Sequence, residues 1–254
     1  MNDFYVENEL DRLKCLNANI LKLIAIFTML IDHIGAVIVA GYFSFVEDVT
    51  EISRIYEVLR IVGRTAFPLF CFFAAEGFLY TKSRLKYIIR VLIFAFISEP
   101  AFDFAFSNTI FDSSQQNVMF TIALALIGLY FYDIISSKFE GTVSNITAIF
   151  PIIVMSFSAY LLNTDYSYAG VIAIACMYLF RSNKILGFCI GVIILALSFR
   201  GIEIFAIFAV IPVLLYNGKK GLNMKYFFYL FYPIHLVAIR LIFYFMERSL
   251  RLAG

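Results

Sequence analysis

The chain is poor in the residues that build metal sites and hydrolytic centres. It has two histidines, His33 and His235, and four cysteines, Cys15, Cys71, Cys176 and Cys189, with no CxxC spacing. Two histidines so far apart are too few for a usual structural metal site. The scattered cysteines read as buried free thiols. HExxH, GxSxG and the GxGD type of aspartyl site are all absent, so those hydrolases have no catalytic frame here. Charged residues make up only 15% of the chain and the formal net charge is +2. With no basic helix or aromatic RNA-binding motif, nucleic acid is excluded as a partner. The first 19 residues carry mixed charge. They read as a cytoplasmic N-terminal segment and not as a removable signal peptide.

Apolar surface is what the chain has in quantity. Of 254 residues 62% are hydrophobic, with 30 Phe and 16 Tyr but no Trp. Stretches of about 20 apolar residues recur from end to end, the length that crosses about 30 Å of hydrocarbon. The expectation is an all-α, polytopic transmembrane bundle of about nine spans, forming one integral-membrane domain over 1–254. The spans are 20–42, 57–80, 86–107, 117–136, 143–162, 168–180, 184–199, 202–216 and 226–246, the sixth to eighth being short. With the N-terminus inside, twelve loop Lys and Arg fall on the cytoplasmic side and four on the other. The positive-inside rule therefore predicts a multi-pass protein of the cell membrane with a cytoplasmic N-terminus.

Polar residues inside such spans are costly and carry the functional information. Asp32 and His33 stand side by side in "FTMLIDHIGAVI". They lie about 100° apart on a helix, so Asp32 must look to another helix, which Gly35 lets approach. Arg60 and Arg64 share one face of the second span, and Glu99 and Asp103 one face of the third. Arg64 and Glu99 lie about 10 and 12 Å from the outer end, and Arg60 and Asp103 roughly 5 Å from it. The matched depths predict two Arg–carboxylate pairs across one hairpin, serving either helix register or chemistry. Pro100 frees a carbonyl in the third span. His235 falls at buried depth in "FYPIHL", beside Tyr232. Asn117, Asp165 and Tyr166 are expected near the outer face, and Glu76 near the inner one. General-base or nucleophilic chemistry by His33, or a proton-coupled path, remains open.

Seven segments carry a family resemblance: "LKLIAIFTMLIDHIG" (21–35), "VGRTAFPLFCFFAAEGFLYT" (62–81), "RVLIFAFISEPAFDFAF" (90–106), "NVMFT" (117–121), "LNTDYSYAG" (162–170), "LYNGKKG" (215–221) and "FFYLFYPIHL" (227–236). In order and almost end to end, they resemble the TraX family, known for N-acetylation of conjugative F-pilin. The Lys22 to His33 spacing is also similar to an arginine-to-histidine spacing in wider integral-membrane acyltransferases, with Lys in place of Arg. The resemblance implies acetyl-CoA as donor. The anionic donor would then meet the cytoplasmic loops of Lys82, Arg84, Lys86 and Arg90 and of Asn217, Lys219 and Lys220, which equally serve as the positive-inside signal. His33 is expected as general base or acyl carrier. Asp32, His235 or Glu99 would orient it, and Arg64 or Asn117 would hold the oxyanion. Asp103, Asp165, Tyr166, Glu76 and Tyr232 complete the expected acceptor site.

Three functions are compatible with these residues. One is an acetyltransferase acting on a peptide, glycan or lipid-linked acceptor. The others are a proton-coupled transporter, disfavoured by the lack of repeat symmetry, and a non-catalytic assembly or secretion component.

Overall fold

The computed structural model describes residues 13–138, 142–222 and 224–253. Most of the N-terminal segment thus lies outside the described residues. Helix α1 (Ala18–His33) starts where the Asn17 side chain accepts from the Asn19 and Ile20 amides, an N-cap in the ordinary sense. It runs on through a π-helical stretch, Ile34–Val39, a turn of α-helix, Ala40–Tyr42, and a 3₁₀ turn, Phe43–Phe45. Then follow α2 (Thr50–Gly63), α3 (Ala66–Tyr80), α4 (Arg84–Ser107), α5 (Val118–Lys138), α6 (Thr142–Leu161), α7 (Ser167–Leu179) and α8 (Lys184–Phe199). A 3₁₀ helix, Gly201–Ala209, leads into the short α9 (Val210–Leu214), and α10 (Lys225–Ala253) ends the chain. The described residues hold no strand ladder, only two isolated bridges.

Among the described residues these rods correspond in position to the nine expected segments. Four are long and apolar enough to cross a bilayer, Ala18–Phe45, Thr50–Tyr80, Val118–Lys138 and Tyr226–Leu252. The apolar helices Ser167–Leu179, Lys184–Phe199 and Gly201–Leu214 are shorter, as the sequence indicates. The protein is a polytopic helical membrane protein.

Its core is built mainly of alanines and aliphatic residues with fewer aromatics, and the small residues let helices approach closely where no water-driven collapse operates. Ala25, Leu69, Phe78, Ala95, Ala123, Ile174 and Leu195 have at most 0% exposure. Helix α7, "SYAGVIAIACMYL", is surrounded by α3, α5, α6 and α8 and is the buried centre of the bundle. Helix α2 packs on α1 and the π-helical stretch, while α4 packs on α10 and α5. That choice of neighbours decides the site. At one end of the bundle, the 215–222 connection wraps the start of α1, with Ala18 N donating to Lys219 O at 2.8 Å and Asn217 N to Leu16 O at 2.9 Å. At the other end, the 108–117 and 162–166 connections are tied together, Asp165 N donating to Gln116 O at 2.8 Å.

Candidate functional site

Three departures from regular α-helix meet at one level of the bundle. The π-helical stretch begins just after His33, the α2–α3 rod breaks at Arg64–Thr65, and the 3₁₀ helix starts at Gly201. Irregular backbone at membrane depth is tolerated only where protein or a cavity satisfies it, and π-segments recur at functional sites. Arg64 donates to Arg60 O twice, from its backbone amide at 3.2 Å and from its Nε at 3.1 Å.

A cavity of about 310 Å³ lies at this level. Asp32, His33, Arg60, Arg64, Gln115, Asp165 and Tyr166 supply its polar lining, and Met29, Phe67, Phe70, Phe102, Phe106 and Tyr232 most of the rest.

One wall is an ion cluster. Asp32 accepts from Arg60 Nη1 at 2.7 Å and from Arg64 Nη2 at 2.5 Å. Arg64 Nη1 also donates to Glu203 at 3.0 Å and to the Tyr166 hydroxyl at 3.3 Å. Asp32 and Glu203 are 8% and 3% exposed, so each charge depends on its partners to offset desolvation. Gly63 makes the approach possible: a Cβ there would lie 2.1 Å from Asp32 Oδ1. Arg64 has its donors engaged, whereas Arg60 Nε is buried without a hydrogen-bond partner.

A second part of the wall is neutral. His33 Nδ1 lies 2.7 Å from His235 Nε2, and His235 Nδ1 lies 2.8 Å from Phe231 O. A carbonyl can only accept, so His235 Nδ1 carries its proton and its Nε2 is an acceptor when the ring is neutral. His33 Nδ1 must then donate, which leaves the lone pair of His33 on Nε2. The carbonyl thereby sets the tautomer of the second ring along. His33 lines the cavity and His235, 5% exposed, stands behind it. The two rings are parallel within 8°, and Phe106 meets His33 edge-on at 5.6 Å.

The expected pairing of Arg64 with Glu99 and of Arg60 with Asp103 is corrected. Both arginines turn to Asp32 because α2 lies against α1 and not against α4. Glu99 instead accepts from the backbone amide of Asn117 at 3.1 Å and from its side chain. Asn117 Nδ2 also donates to Ala95 O at 2.9 Å, one residue before the carbonyl that Pro100 leaves without a helical donor. Asp103 accepts from the Asp112 amide at 2.9 Å. Glu99, Asn117 and Asp103 therefore tie the 108–117 connection to α4 and do not line the cavity. Glu99 does not contact His33 in the arrangement the sequence left open.

Other expected residues divide by the two ends of the bundle. Asp165, Tyr166 and Tyr232 line the cavity, with Tyr232 6.4 Å from His33, ring to ring. Glu76 is at the far end, paired with Lys184 at 3.0 Å. Arg84 is paired with Asp133 at 2.6 Å, and Arg90 lies against Tyr87 and Tyr229. Lys82, Lys86, Lys219 and Lys220 are exposed, and Asn217 caps its own loop by accepting from Lys219 N at 2.9 Å. Lys22 sits over the Phe73 and Phe228 rings at 5.0 and 5.5 Å.

Glu203 was missed by the sequence reading. A lone acid in "RGIEIFAIF" carried the same signal that singled out Asp32, a charge inside an apolar run. Arg60 was seen only as an ion-pair partner, and its role on the cavity wall depends on the fold.

Together these features define a polytopic membrane protein with a cavity that has a charged wall and a histidine wall. The chain belongs to the TraX protein family, whose model matches residues 17–243, so the resemblance read from the seven segments holds over most of the chain. It is 32% identical over 249 residues to the probable fimbrial assembly protein FimC, serogroup H1, of Dichelobacter nodosus, across 86% of this chain and 92% of that protein. A shorter similarity, 36% identity over 75 residues, joins it to the uncharacterized protein RP591 of Rickettsia prowazekii (strain Madrid E), covering 30% of this chain and 24% of that one. No solved structure matches it significantly.

Proposed function

We propose that this protein is an integral-membrane acetyltransferase that moves an acetyl group from acetyl-CoA to an amine or hydroxyl in the cavity. The observation that carries the reading is the Phe231–His235–His33 chain, which leaves a basic nitrogen on a cavity wall. His33 Nε2 takes the acceptor's proton as the acceptor attacks the acetyl carbonyl. The imidazolium so formed keeps its Nδ1–H on His235, and its new proton goes to the departing thiolate as the carbon–sulfur bond breaks. General-base catalysis of this kind typically contributes about 10²–10⁴ in rate. Arg60, which lines the cavity and whose Nε–H has no hydrogen-bond partner, replaces Arg64 and Asn117 as the oxyanion donor.

Ligand pockets run from about 300 to 1,000 Å³. The cavity is at the lower limit and fits the acetyl end and the acceptor group, not a nucleotide. The nucleotide would meet exposed Lys82, Lys86, Lys219 and Lys220 at the far end, where Lys219 meets Ala18, about 22 Å from His33 along α1. Arg84 and Arg90 are already engaged with Asp133 and with two tyrosines and drop to a structural role. The fimbrial relative makes a pilin-like peptide the first acceptor to test, ahead of a glycan or a lipid-linked group.

The same relative's name favours, as a second reading, a non-catalytic assembly component. Vesicles containing the protein, supplied with acetyl-labelled acetyl-CoA and a candidate acceptor peptide, separate the two. Acetyl transfer lost in His33→Ala supports the enzyme. Binding of the peptide with no acetyl-CoA dependence supports the assembly role.

A further inference from the structure

The lipid-facing apolar stripes of this protein differ in height around the bundle. On α10 the exposed residues Phe227, Leu230, Ile234, Val237, Leu241 and Phe245 follow helical spacing without a gap. With Tyr226 they make a stripe about 29 Å tall at 1.5 Å per residue, close to a bilayer core of about 30 Å. On α8 the stripe runs only from Ile185 to Phe199, about 21 Å. On the 3₁₀ helix and α9 it runs from Ile204 to Leu214, about 18 Å at the rises of the two helix types. Polar residues end both short stripes. Exposed Ser182 precedes α8, exposed Arg200 and Gly201 follow it, and Asn217 to Lys220 follow α9.

The short flank also adjoins the cavity. Glu203, three residues beyond Arg200, holds Arg64 at 3.0 Å, and Phe199 packs edge-on against Tyr166 at 5.5 Å. The polar end of α8 is therefore level with the charged wall.

We propose that the flank formed by α8, the 3₁₀ helix and α9 is a bilayer-thinning surface, whose partner is phospholipid. Lipid there would match an apolar height about two-thirds of that on α10, since mismatch is relieved by deforming the bilayer where a helix is too short to tilt. The interface on this side is drawn to the level of Arg64 and Glu203, so the charged wall borders headgroups and water instead of hydrocarbon. The inference rests on the membrane assignment and not on the reaction proposed above, so either can fail without the other.

The test uses full-length protein in vesicles of ordinary thickness, with Cys15, Cys71, Cys176 and Cys189 replaced. Single cysteines are placed at equal sequence separation on the two flanks: Ser182→Cys and Arg200→Cys on α8, Phe227→Cys and Phe245→Cys on α10. A membrane-impermeant maleimide is supplied to both sides. Both α8 positions should react within a few-fold of the exposed loop position Phe111→Cys, and at least one α10 position should react slower by about tenfold or more, as a thiol inside the roughly 30 Å core must. Protection of either α8 position, or free reaction of both α10 positions, overturns the proposal. If the cysteine-free background does not fold, the wild-type protein decides. Its thermal midpoint in vesicles of graded acyl length should peak at chains thinner than the α10 stripe. A peak at or above that thickness overturns the proposal.

Discussion

The two walls of the cavity meet the cost of burying polar groups in opposite ways. On one, Asp32, Arg60, Arg64 and Glu203 cancel one another in charge, and the Arg64 side chain also donates to the Arg60 carbonyl. On the other, His33 and His235 carry no compensating ion and rely on a chain of neutral hydrogen bonds ending on a carbonyl. The charged wall is saturated except at Arg60 Nε and one Glu203 oxygen. The neutral wall is saturated except at one nitrogen. A saturated ion cluster is suited to holding helices in place, and a histidine with one unspent lone pair to moving a proton. The contrast therefore assigns stability mainly to one wall and chemistry mainly to the other.

The contrast is tested most severely by removing the lone pair. His33→Ala should lower acetyl transfer about 10²–10⁴-fold while leaving yield and thermal midpoint near wild type. A well-folded variant with near-normal turnover would make the histidine wall structural too. Asp32→Ala should do the reverse first. It leaves Arg60 without a carboxylate and Arg64 with Glu203 alone, and should cost about 3–5 kcal/mol, read as lost yield or a lowered midpoint in detergent. Gly63→Ala should mimic it in part, because the added methyl displaces the Asp32 carboxylate.

A smaller effect separates partners within the charged wall. In a double-mutant cycle, Arg64→Ala and Glu203→Ala should couple by about 0.5–3 kcal/mol. Arg64→Ala and Glu99→Ala should be additive, because Glu99 bonds Asn117 and not Arg64. Coupling of the second pair would restore the arrangement first read from the depths. The smallest expected change is at the far end. Breaking Lys184–Glu76, whose lysine side chain is 37% exposed, should cost within about 1 kcal/mol and leave the cavity chemistry intact.

Much of this is legible in the sequence. The helical class and the nine rods follow from apolar run lengths, because a bilayer imposes them on any spanning chain. Asp32, His33, Arg64 and His235 stood out because charge and imidazole are expensive in apolar runs. Gly35 was read as a point of close approach, and a Cβ there would indeed lie 3.1 Å from Leu59 on α2. The same rule, applied once more, would have found Glu203.

Depth along a span is thus a property of sequence alone, since each residue adds a fixed rise. It placed Arg60, Arg64, Glu99 and Asp103 at comparable levels but gave no information on which helices touch. Only the tertiary structure decided that α2 faces α1, so that Asp32 takes both arginines, and that α4 faces α5 and α10, so that Glu99 takes Asn117. It also brought together His33 and His235, 202 residues apart in the chain, and with them the tautomer that leaves one nitrogen free. Run length and residue chemistry are local, and the sequence determines them by itself. Pairing depends on the azimuth and neighbours of whole helices, which packing sets over the entire chain.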